Sequence, residues 1–393
     1  MTAQKEYFIY LLSCFLSGDA PKGRETDFEE LYHLADIHDV SAIVAQELKL
    51  VESEWKPTGL IASHFTQTIG LTVREYQKKE QVYSAVKKIL TAAEIPHLFV
   101  KGAIIKEYYP IPEMRTSGDI DVIVKPESFD TVLNIVHANS NLMTLVEHTT
   151  NVIVVKMNGI EVEIHSSADV GSGYFENVFS LCSVSNGFTY ELDDTDHLLY
   201  IICHLAKHLA YRGAGIRMLM DIDVMIRHIP NFNLEAFLLL CDKANIRKTA
   251  EALISLSVYW FHTPVQQTVD FTADSKLLES FENVILDGGS FGYEMNAIPL
   301  RYIAADNTQL TLFNKIKVLL KMAFPSREYL KKCYPYYNNH ASLYPVARIN
   351  RVADGLFKKR KQAEGAFRQM KTDGGTASYQ LALMKELEIN FEK

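Results

Sequence analysis

Hydrophobic and polar residues follow two different periods along this chain, and the period changes twice. From Lys5 to about Ala93, apolar residues recur at three- and four-residue spacing, which predicts amphipathic helices. From Ile95 to about Glu191, short β-branched runs predict strands. Helical spacing returns from Thr195 onward. We therefore predict an α+β protein in which an α/β core with a small mixed β-sheet (95–191) is embedded between an N-terminal helical region (1–94) and a C-terminal helical region (192–393).

The N-terminal region is predicted to be helical over most of its length. Asp27 is placed to cap a helix that begins at Phe28, and further helices are expected over 40–51 and 59–93. In the last of these, the polar segment Gln77–Glu80 is predicted to be a solvated face. The apolar run Tyr7–Leu16 could be a core helix or the short apolar part of an export signal. It is too short to span a bilayer, and we favour the core helix.

Five elements are predicted in the central region. In chain order they are a strand at His97–Val100, a helix at Ala103–Tyr109, a strand at Asp119–Val124, a helix at Ser128–Ala138 and a β-hairpin around Asn158-Gly159. Asn-Gly between two alternating runs is the strongest short-range hairpin signal. Gly171–Gly173 and Ser183–Phe188 are expected to be loops near the functional site.

Asp119 and Asp121 are the first candidates for chemistry. Because side chains alternate along a strand, both carboxylates should lie on one face, with Ile120 and Val122 pointing into the core. Two carboxylates held together repel each other, and a divalent cation such as Mg²⁺ relieves that repulsion. The alternative for a bare Asp-x-Asp motif is a solvated strand end where two acids happen to lie.

The second arm of the hairpin can supply a third acid. Glu161, Glu163 and His165 should share one face of that strand, because they are two residues apart. We favour Glu163 as the third carboxylate, with Glu161 as its rival. His165 could orient a substrate or hydrogen-bond a carboxylate.

A phosphate-binding turn is predicted ahead of the Asp-x-Asp motif. An apolar strand ends at Lys101-Gly102, and a helix-compatible segment follows. Where a strand is followed by a glycine turn and the start of a helix, free backbone N–H groups and the positive end of the helix dipole lie at one place. This arrangement favours the binding of phosphate. Lys101 and Gly102 are therefore candidates for binding a phosphate group.

Two histidines in the C-terminal region have competing interpretations. Thr195 is expected to cap a helix on which His204 and His208 lie four residues apart. This spacing can hold Zn²⁺ on one helix face, but neither a glutamate between them nor a nearby cysteine completes a zinc motif. We favour one histidine that packs against the α/β core and one that lines the cleft.

A second Asp-x-Asp motif, Asp221-Ile222-Asp223, is predicted to be unrelated to the first. The apolar residues on either side of it recur at helical spacing. Residues two positions apart on a helix point in directions about 200° apart, so the two carboxylates should diverge. Arg217 and Asp221 are four residues apart and could either pair with each other or hold a substrate.

Composition limits the classes of function. Of the 393 residues, 48% are apolar and 22% are charged, which is ordinary for a globular protein, and the net charge is −8. An acidic chain has no overall positive field for nucleic acid, so nucleic acid is not an expected partner. The five cysteines are scattered without Cys-x-x-Cys spacing, which indicates reduced thiols in a cytoplasmic protein. A membrane partner is not expected either, since no run approaches transmembrane length.

The candidate residues together resemble a known family, the uncharacterised bacterial nucleotidyltransferases of the polymerase-β-like superfamily. The resemblance is carried by Lys101-Gly102, Tyr109-Pro110, Arg115, Gly118-Asp119-Ile120-Asp121 and Glu163-Ile164-His165, in that order. It covers about Ile95 to Ser167 and extends more loosely to His204 and to Arg217–Asp221. At the phosphate turn, this chain has Lys101-Gly102-Ala103 where the superfamily usually has Gly-Ser or Gly-Gly.

The resemblance implies a nucleotidyltransferase core that depends on Mg²⁺. Asp119, Asp121 and Glu163 would be the catalytic residues and would bind two Mg²⁺ ions. The nucleotide would be bound by Lys101, Gly102, Arg115 and Gly118. The reaction would move an NMP, expected to be AMP, from an NTP to an unidentified hydroxyl-bearing acceptor, which is a small molecule or a protein. The alternative is a non-catalytic nucleotide-binding or regulatory module on the same fold.

Overall fold

The computed structural model describes residues 1–168, 170, 173–211, 214–266, 268–271, 274–288, 330, 343–356 and 375–389. The chain divides into two units. The first consists of Met1–Ala206 and Gly215–Asp274, and the second of Lys207–Ala214 and Ser275–Lys393. The three regions expected from the sequence remain a prediction.

The first unit contains most of the described helices. In chain order they are α1 (Ala3–Ser17), α2 (Phe28–Ile37), α3 (Ser41–Leu48), α4 (Gly59–Ala92), α5 (Gly102–Ile105), α6 (Phe129–Ala138), α7 (Asp194–Tyr211, whose last residues from Lys207 belong to the second unit), α8 (Ile216–His228), α9 (Leu234–Lys243) and α10 (Arg247–Phe261). Asp27 caps α2 as predicted, because its side chain accepts hydrogen bonds from the backbone N–H groups of Glu29 and Glu30. The Tyr7–Leu16 run lies in α1, which packs against α3 and α10.

Seven strands form one mixed sheet. In chain order they are β1 (His97–Val100), β2 (Ile120–Val124), β3 (Thr144–His148), β4 (Val152–Met157), β5 (Ile160–His165), β6 (Cys182–Asn186) and β7 (Thr189–Leu192). Their order across the sheet is β3-β4-β5-β2-β1-β7-β6. The β2–β5 and β1–β7 pairs are parallel, and the other pairs are antiparallel. The sheet and its flanking helices confirm the predicted α+β class.

One face of the sheet forms a hydrophobic core. Ile120, Val122 and Val124 of β2 point into a cluster of buried side chains shared with α4, α6, β4 and β5. Their alternation leaves Asp121 on the opposite face, as the sequence pattern predicted. The hairpin at Asn158-Gly159 is also confirmed, because both residues adopt the positive φ angles that a tight two-residue turn requires.

Two local predictions were wrong. Ser183–Phe188 was expected to be a loop, but Cys182–Asn186 forms strand β6 at the edge of the sheet. The side chains of this edge strand are mostly exposed and polar, so it lacks the apolar face on which the pattern depends. Thr195 does not cap α7, because the Asp193 carboxylate accepts the hydrogen bonds from the backbone N–H groups of Thr195 and Asp196. Of the expected loop Gly171–Gly173, positions 171 and 172 lie outside the described residues.

The described part of the second unit is helical. It contains α11 (Ser275–Phe281), which continues as one π-helical turn over Glu282–Leu286, α12 (Tyr344–Leu356) and α13 (Gly375–Glu386). Helices α11 and α13 pack together, and the Tyr379 hydroxyl donates a hydrogen bond to Glu279 Oε1 at 2.8 Å. Among the helices that can be described in either unit, none has the length and apolar character needed to cross a membrane.

Candidate active site

Asp121 lies on β2, near the middle of the sheet. It stands opposite Glu163 on the parallel strand β5 and opposite Val100 on the antiparallel strand β1. Lys101 follows Val100, and its ammonium lies 2.6 Å from Asp121 Oδ1. Asp119 is half-buried directly before β2, whereas the Asp121 side chain is only 5% exposed. The strand register therefore brings Lys101, Asp121 and Glu163 together.

His165 joins the two strand carboxylates. Its Nε2 lies 3.1 Å from Asp121 Oδ1 and 3.4 Å from Glu163 Oε2. Potential ligand atoms of these three residues lie within 4.8 Å of one another, and no other such group occurs in the described part of the chain. Two carboxylate oxygens and the nitrogen of a neutral imidazole are suitable ligands for a divalent cation, so His165 could serve as a ligand only after it loses its proton. The site can therefore hold a metal ion.

The charged groups of the site alter one another's protonation. Burial and the charge of Asp121 raise the pKa of Asp119. Burial also acts to raise the pKa of Asp121, but the charge of Lys101 and the hydrogen bond from His165 outweigh it, so that pKa is well below its usual range. Burial acts to lower the pKa of His165, but hydrogen bonds to Asp121 and Glu163 raise it to about 9. Within the chain itself, Lys101 and protonated His165 thus balance the carboxylates.

Glu161, the rival third acid, lies apart from this group. Its side chain is 49% exposed and lies 3.8 Å from Lys156 on β4. Glu163, by contrast, contacts His165 and stands opposite Asp121. The geometry therefore favours Glu163 over Glu161 as the third carboxylate.

The turn between β1 and α5 is unusual at Lys101. Its φ angle is +56°, a region that residues other than glycine rarely adopt. Helix α5 spans only Gly102–Ile105, about one turn, so its dipole is weak, and the N–H groups of Ile104 and Ile105 donate to the carbonyl oxygen of Lys101. Binding of phosphate by Lys101 and Gly102 remains a prediction, and the ammonium of Lys101 contacts Asp121 in this structure.

Gly102 is required by the close approach of Arg115. A Cβ atom at Gly102 would lie 2.2 Å from Arg115 Nη1 and 3.2 Å from Ser117 Cβ. Arg115 is fixed there by two hydrogen bonds to Asp221, from Nε to Oδ1 at 3.1 Å and from Nη2 to Oδ2 at 2.7 Å. The Tyr109 hydroxyl donates to the same carboxylate at 2.7 Å. These contacts give Arg115 a positioning role, and its contact with nucleotide remains a prediction.

Of the two alternatives for Arg217 and Asp221, the ion pair between them is not formed, because Asp221 pairs with Arg115. Arg217 Nη1 donates a hydrogen bond to Thr116 Oγ1 at 2.8 Å and lies 3.5 Å from Asp39 Oδ2. The two residues are four apart on α8, but the Asp221 carboxylate is bound by Arg115 and Tyr109. The periodicity of a sequence describes a single helix, so it cannot show that Arg115, in a loop far away in the chain, is the partner of Asp221.

Lys79 on α4 was expected on a solvated face, but it lies at the loop that precedes Asp119. Its side chain is only 12% exposed, and Nζ donates a hydrogen bond to the carbonyl oxygen of Ser117. Burial lowers the pKa of Lys79, and the positive charge of Arg217 adds to the effect. A signal was present in the sequence, because Lys79 lies three and seven residues before Val82 and Val86, which are buried on the same helix.

The second Asp-x-Asp motif lies on α8, and its acids diverge as predicted. Asp221 binds Arg115, whereas Asp223 accepts hydrogen bonds from Arg227 Nε at 2.7 Å and from the Thr263 hydroxyl at 2.6 Å. These buried contacts connect helices and a loop, and they give Asp223 a structural role.

The histidines of α7 do not form a metal site within the described residues. His204 and His208 are absent from the one metal-capable group found there. His197, on the same helix, is 5% exposed, and its Nε2 has no hydrogen-bond partner among the described residues. Burial lowers the pKa of His197 to about 4.

Comparison with known proteins identifies the class of enzyme to which this site belongs. A family model described as an uncharacterised nucleotidyltransferase matches residues 24–262, which is more than half of the chain and includes the whole sheet. The chain therefore belongs to this uncharacterised nucleotidyltransferase family, and we describe it from here on as a nucleotidyltransferase. A search of curated proteins found no match.

Proposed function

We propose that this nucleotidyltransferase depends on Mg²⁺ and transfers an NMP, with ATP as the expected donor, to a hydroxyl-bearing small molecule or protein. The observation that carries the proposal is the register of β2 and β5, which sets Asp121 opposite Glu163. Asp119 lies directly before β2, and His165 contacts both strand carboxylates.

Asp119, Asp121 and Glu163 would hold the metal, as two ions in the proposed mechanism. The donor set fits, because carboxylate oxygens are the ligands that Mg²⁺ prefers, and the mutual repulsion of Asp119 and Asp121 would be relieved. When bound, the metal supplies charge neutralisation for the attacking and leaving oxygens.

In the proposed transfer, the acceptor hydroxyl oxygen forms a bond to the α-phosphorus of the NTP. The bond from that phosphorus to the bridging oxygen breaks, and pyrophosphate leaves with the bonding electrons. Glu163, whose side chain is 33% exposed, accepts the hydroxyl proton. Lys101 uses one of its three N–H donors on Asp121 and can donate another to a β- or γ-phosphate oxygen. At Gly118, an added Cβ would meet no atom within 4 Å, so a phosphate can approach the backbone there.

The metal and nucleotide site is tested by thermal unfolding of the full chain with each NTP, with and without Mg²⁺. We expect the transition temperature to rise only when the NTP and Mg²⁺ are both present, because binding to the folded state alone stabilises it. Asp121→Asn should abolish that rise relative to its own ligand-free protein. The matched control is Glu161→Gln on the neighbouring strand, which should retain it. A rise that survives the double substitution Asp119→Asn with Asp121→Asn would contradict the proposed site.

Turnover is tested by pyrophosphate release from ATP and Mg²⁺ in the presence of candidate acceptors. We expect release with the wild-type chain and a loss of about 10²-fold or more in Glu163→Gln, as is typical when a general base is removed. The Glu161→Gln chain should stay close to wild type. Loss of release in Glu161→Gln with activity retained in Glu163→Gln would assign the third acid to Glu161 instead.

A further inference from the structure

Three basic side chains meet at the loop that leads into Asp119. This basic cluster consists of Lys79 from α4, Arg115 from the loop itself and Arg217 from α8. Lys79 donates to the Ser117 carbonyl oxygen, Arg115 Nη1 donates to the Thr116 carbonyl oxygen at 3.0 Å, and Arg217 Nη1 donates to Thr116 Oγ1 at 2.8 Å. Their side chains are 12%, 7% and 16% exposed, respectively.

Only one of the three cations in the basic cluster has a buried acidic partner. The positive charge of Arg115 is paired with the Asp221 carboxylate through two hydrogen bonds. Lys79 has Glu75 at 4.0 Å, and Arg217 has Asp39 at 3.5 Å, but these carboxylates are 47% and 40% exposed. Buried charges are normally paired with good hydrogen-bond geometry, since removing them from water is costly. Two cations, Lys79 and Arg217, can therefore accommodate a further anion.

Asp119 also acts electrostatically on Lys79. In the proposed function, this carboxylate would be a metal ligand, so its charge would be shared with the metal. The basic cluster would then lie next to a metal site with much of its positive charge still uncompensated. Phosphate groups are the substrate anions that the proposed reaction brings there.

The loop is open to solvent at Gly118. Gly118, between Ser117 and Asp119, is exposed, and an added Cβ would meet no atom within 4 Å. The hydrogen bond to Ser117 uses one of the three N–H donors of Lys79. Helix α5 is only about one turn long, so its dipole is weak, and side-chain cations can supply the positive charge that a triphosphate needs.

We propose that Lys79 and Arg217 bind the β- and γ-phosphates of the NTP. This proposal rests on the proposed function and adds two substrate-binding residues from helices outside the α/β core. The competing explanation is that these residues only position the Thr116–Ser117 loop. The two explanations differ in what they predict for nucleotides with one, two and three phosphates.

The test is calorimetric titration of the full chain with AMP, ADP, ATP and inorganic tripolyphosphate in the presence of Mg²⁺. In the wild type, affinity should rise with the number of phosphates. In Lys79→Met, the ratio of the AMP and ATP dissociation constants should fall by about ten-fold or more, because a charge-assisted hydrogen bond is lost. The matched control is Lys78→Met on the same helix, whose side chain is 47% exposed, and it should stay within about two-fold of wild type.

Arg217→Met should also reduce the ratio of the AMP and ATP dissociation constants. Lys79→Arg, which keeps the positive charge, should have a ratio close to that of the wild type. Thermal unfolding of each ligand-free variant shows whether it is folded. If Arg217→Met does not fold, the test is made with Lys79→Met, Lys79→Arg and Lys78→Met. Equal weakening of AMP and ATP in Lys79→Met would assign a positioning role and overturn the proposal. Equal affinities in Lys79→Met and Lys78→Met, with wild-type ATP binding intact, would also overturn it while leaving the proposed function standing. A wild-type chain that binds neither ATP nor tripolyphosphate would contradict both.

Discussion

At the scale of single residues, Gly102 and Arg115 show how tightly the surroundings of the site are packed. The guanidinium of Arg115 lies where a Cβ of residue 102 would be, with 2.2 Å between that position and Nη1. We expect Gly102→Ala to push Arg115 away from Asp221 and to lower the free energy of unfolding by about 1–3 kcal/mol, the usual cost of overpacking. Urea unfolding measures this. Gly118→Ala, where the added Cβ meets open space, is the control and should change stability by less than about 0.5 kcal/mol.

The pair of Arg115 and Asp221 provides a second prediction at this scale. Both side chains are under 10% exposed, so removing one charge leaves the other buried without its partner. Asp221→Asn should therefore lower the free energy of unfolding by about 3 kcal/mol or more. The control is Asp242→Asn, which removes a 2.9 Å pair with Arg247 at the surface and should cost less than about 1 kcal/mol. Equal losses for the two variants in urea unfolding would show that the buried pair is no more important than the exposed one.

The sequence predicted that Asp121 and Glu163 would lie together, as they do, but not the cations around them; the role of Asp119 as a ligand stays a prediction. Asp119, Asp121 and Glu163 follow from strand alternation and a hairpin signal, which are local properties of the chain. Lys79 and Arg217 reach the loop before Asp119 from α4 and α8. Such contacts depend on how helices pack, and a single sequence does not encode that in any local pattern.

At the scale of elements, strand pairing decides which acids meet. The sequence predicted β1, β2 and the β4–β5 hairpin, because each has an apolar face. It could not predict that β2 lies next to β5 in parallel, which is the pairing that sets Asp121 opposite Glu163. It also missed β6, since an exposed edge strand with polar side chains has no apolar face to detect.

Helix α7 carries a prediction on pH, because His197 is buried on it without a partner for Nε2 among the described residues. Its pKa is about 4 in the folded chain and about 6.5 in an unfolded one, so only the unfolded state takes up the proton between these values. The contribution of His197 to the free energy of unfolding should therefore be constant above about pH 6.5 and should fall as pH decreases from about 6.5 to 4, by about 3 kcal/mol in total.

His197→Phe removes this proton uptake and keeps an aromatic side chain in the buried position. The difference in stability between the variant and the wild type should then grow in favour of the variant as pH decreases through this range. Urea unfolding at several pH values measures the difference. Parallel stability curves for the two chains would contradict the burial of an uncharged His197.

At the scale of the whole molecule, the family match begins at residue 24, but the first unit also includes α1. Phe8, Leu11 and Leu12 of this helix are fully buried, and the helix packs against α3 and α10. Phe8→Ala should therefore lower the free energy of unfolding by about 3–5 kcal/mol. The control is Tyr10→Ala on the same helix, at a side chain that is 37% exposed, and it should cost clearly less. Similar unfolding midpoints for the two variants would show that α1 is not integral to the first unit.

The central claim is that Asp119, Asp121 and Glu163 together hold the metal ions of a nucleotidyltransferase. The most direct test is anomalous diffraction from crystals of the full chain grown with Mn²⁺, which substitutes for Mg²⁺ at oxygen-rich sites, and a non-hydrolysable ATP analogue. We predict Mn²⁺ peaks coordinated by oxygens of all three carboxylates and by the analogue's phosphates. An analogue bound in ordered density, with Mn²⁺ absent from these carboxylates and Lys101 still paired with Asp121, would contradict the claim.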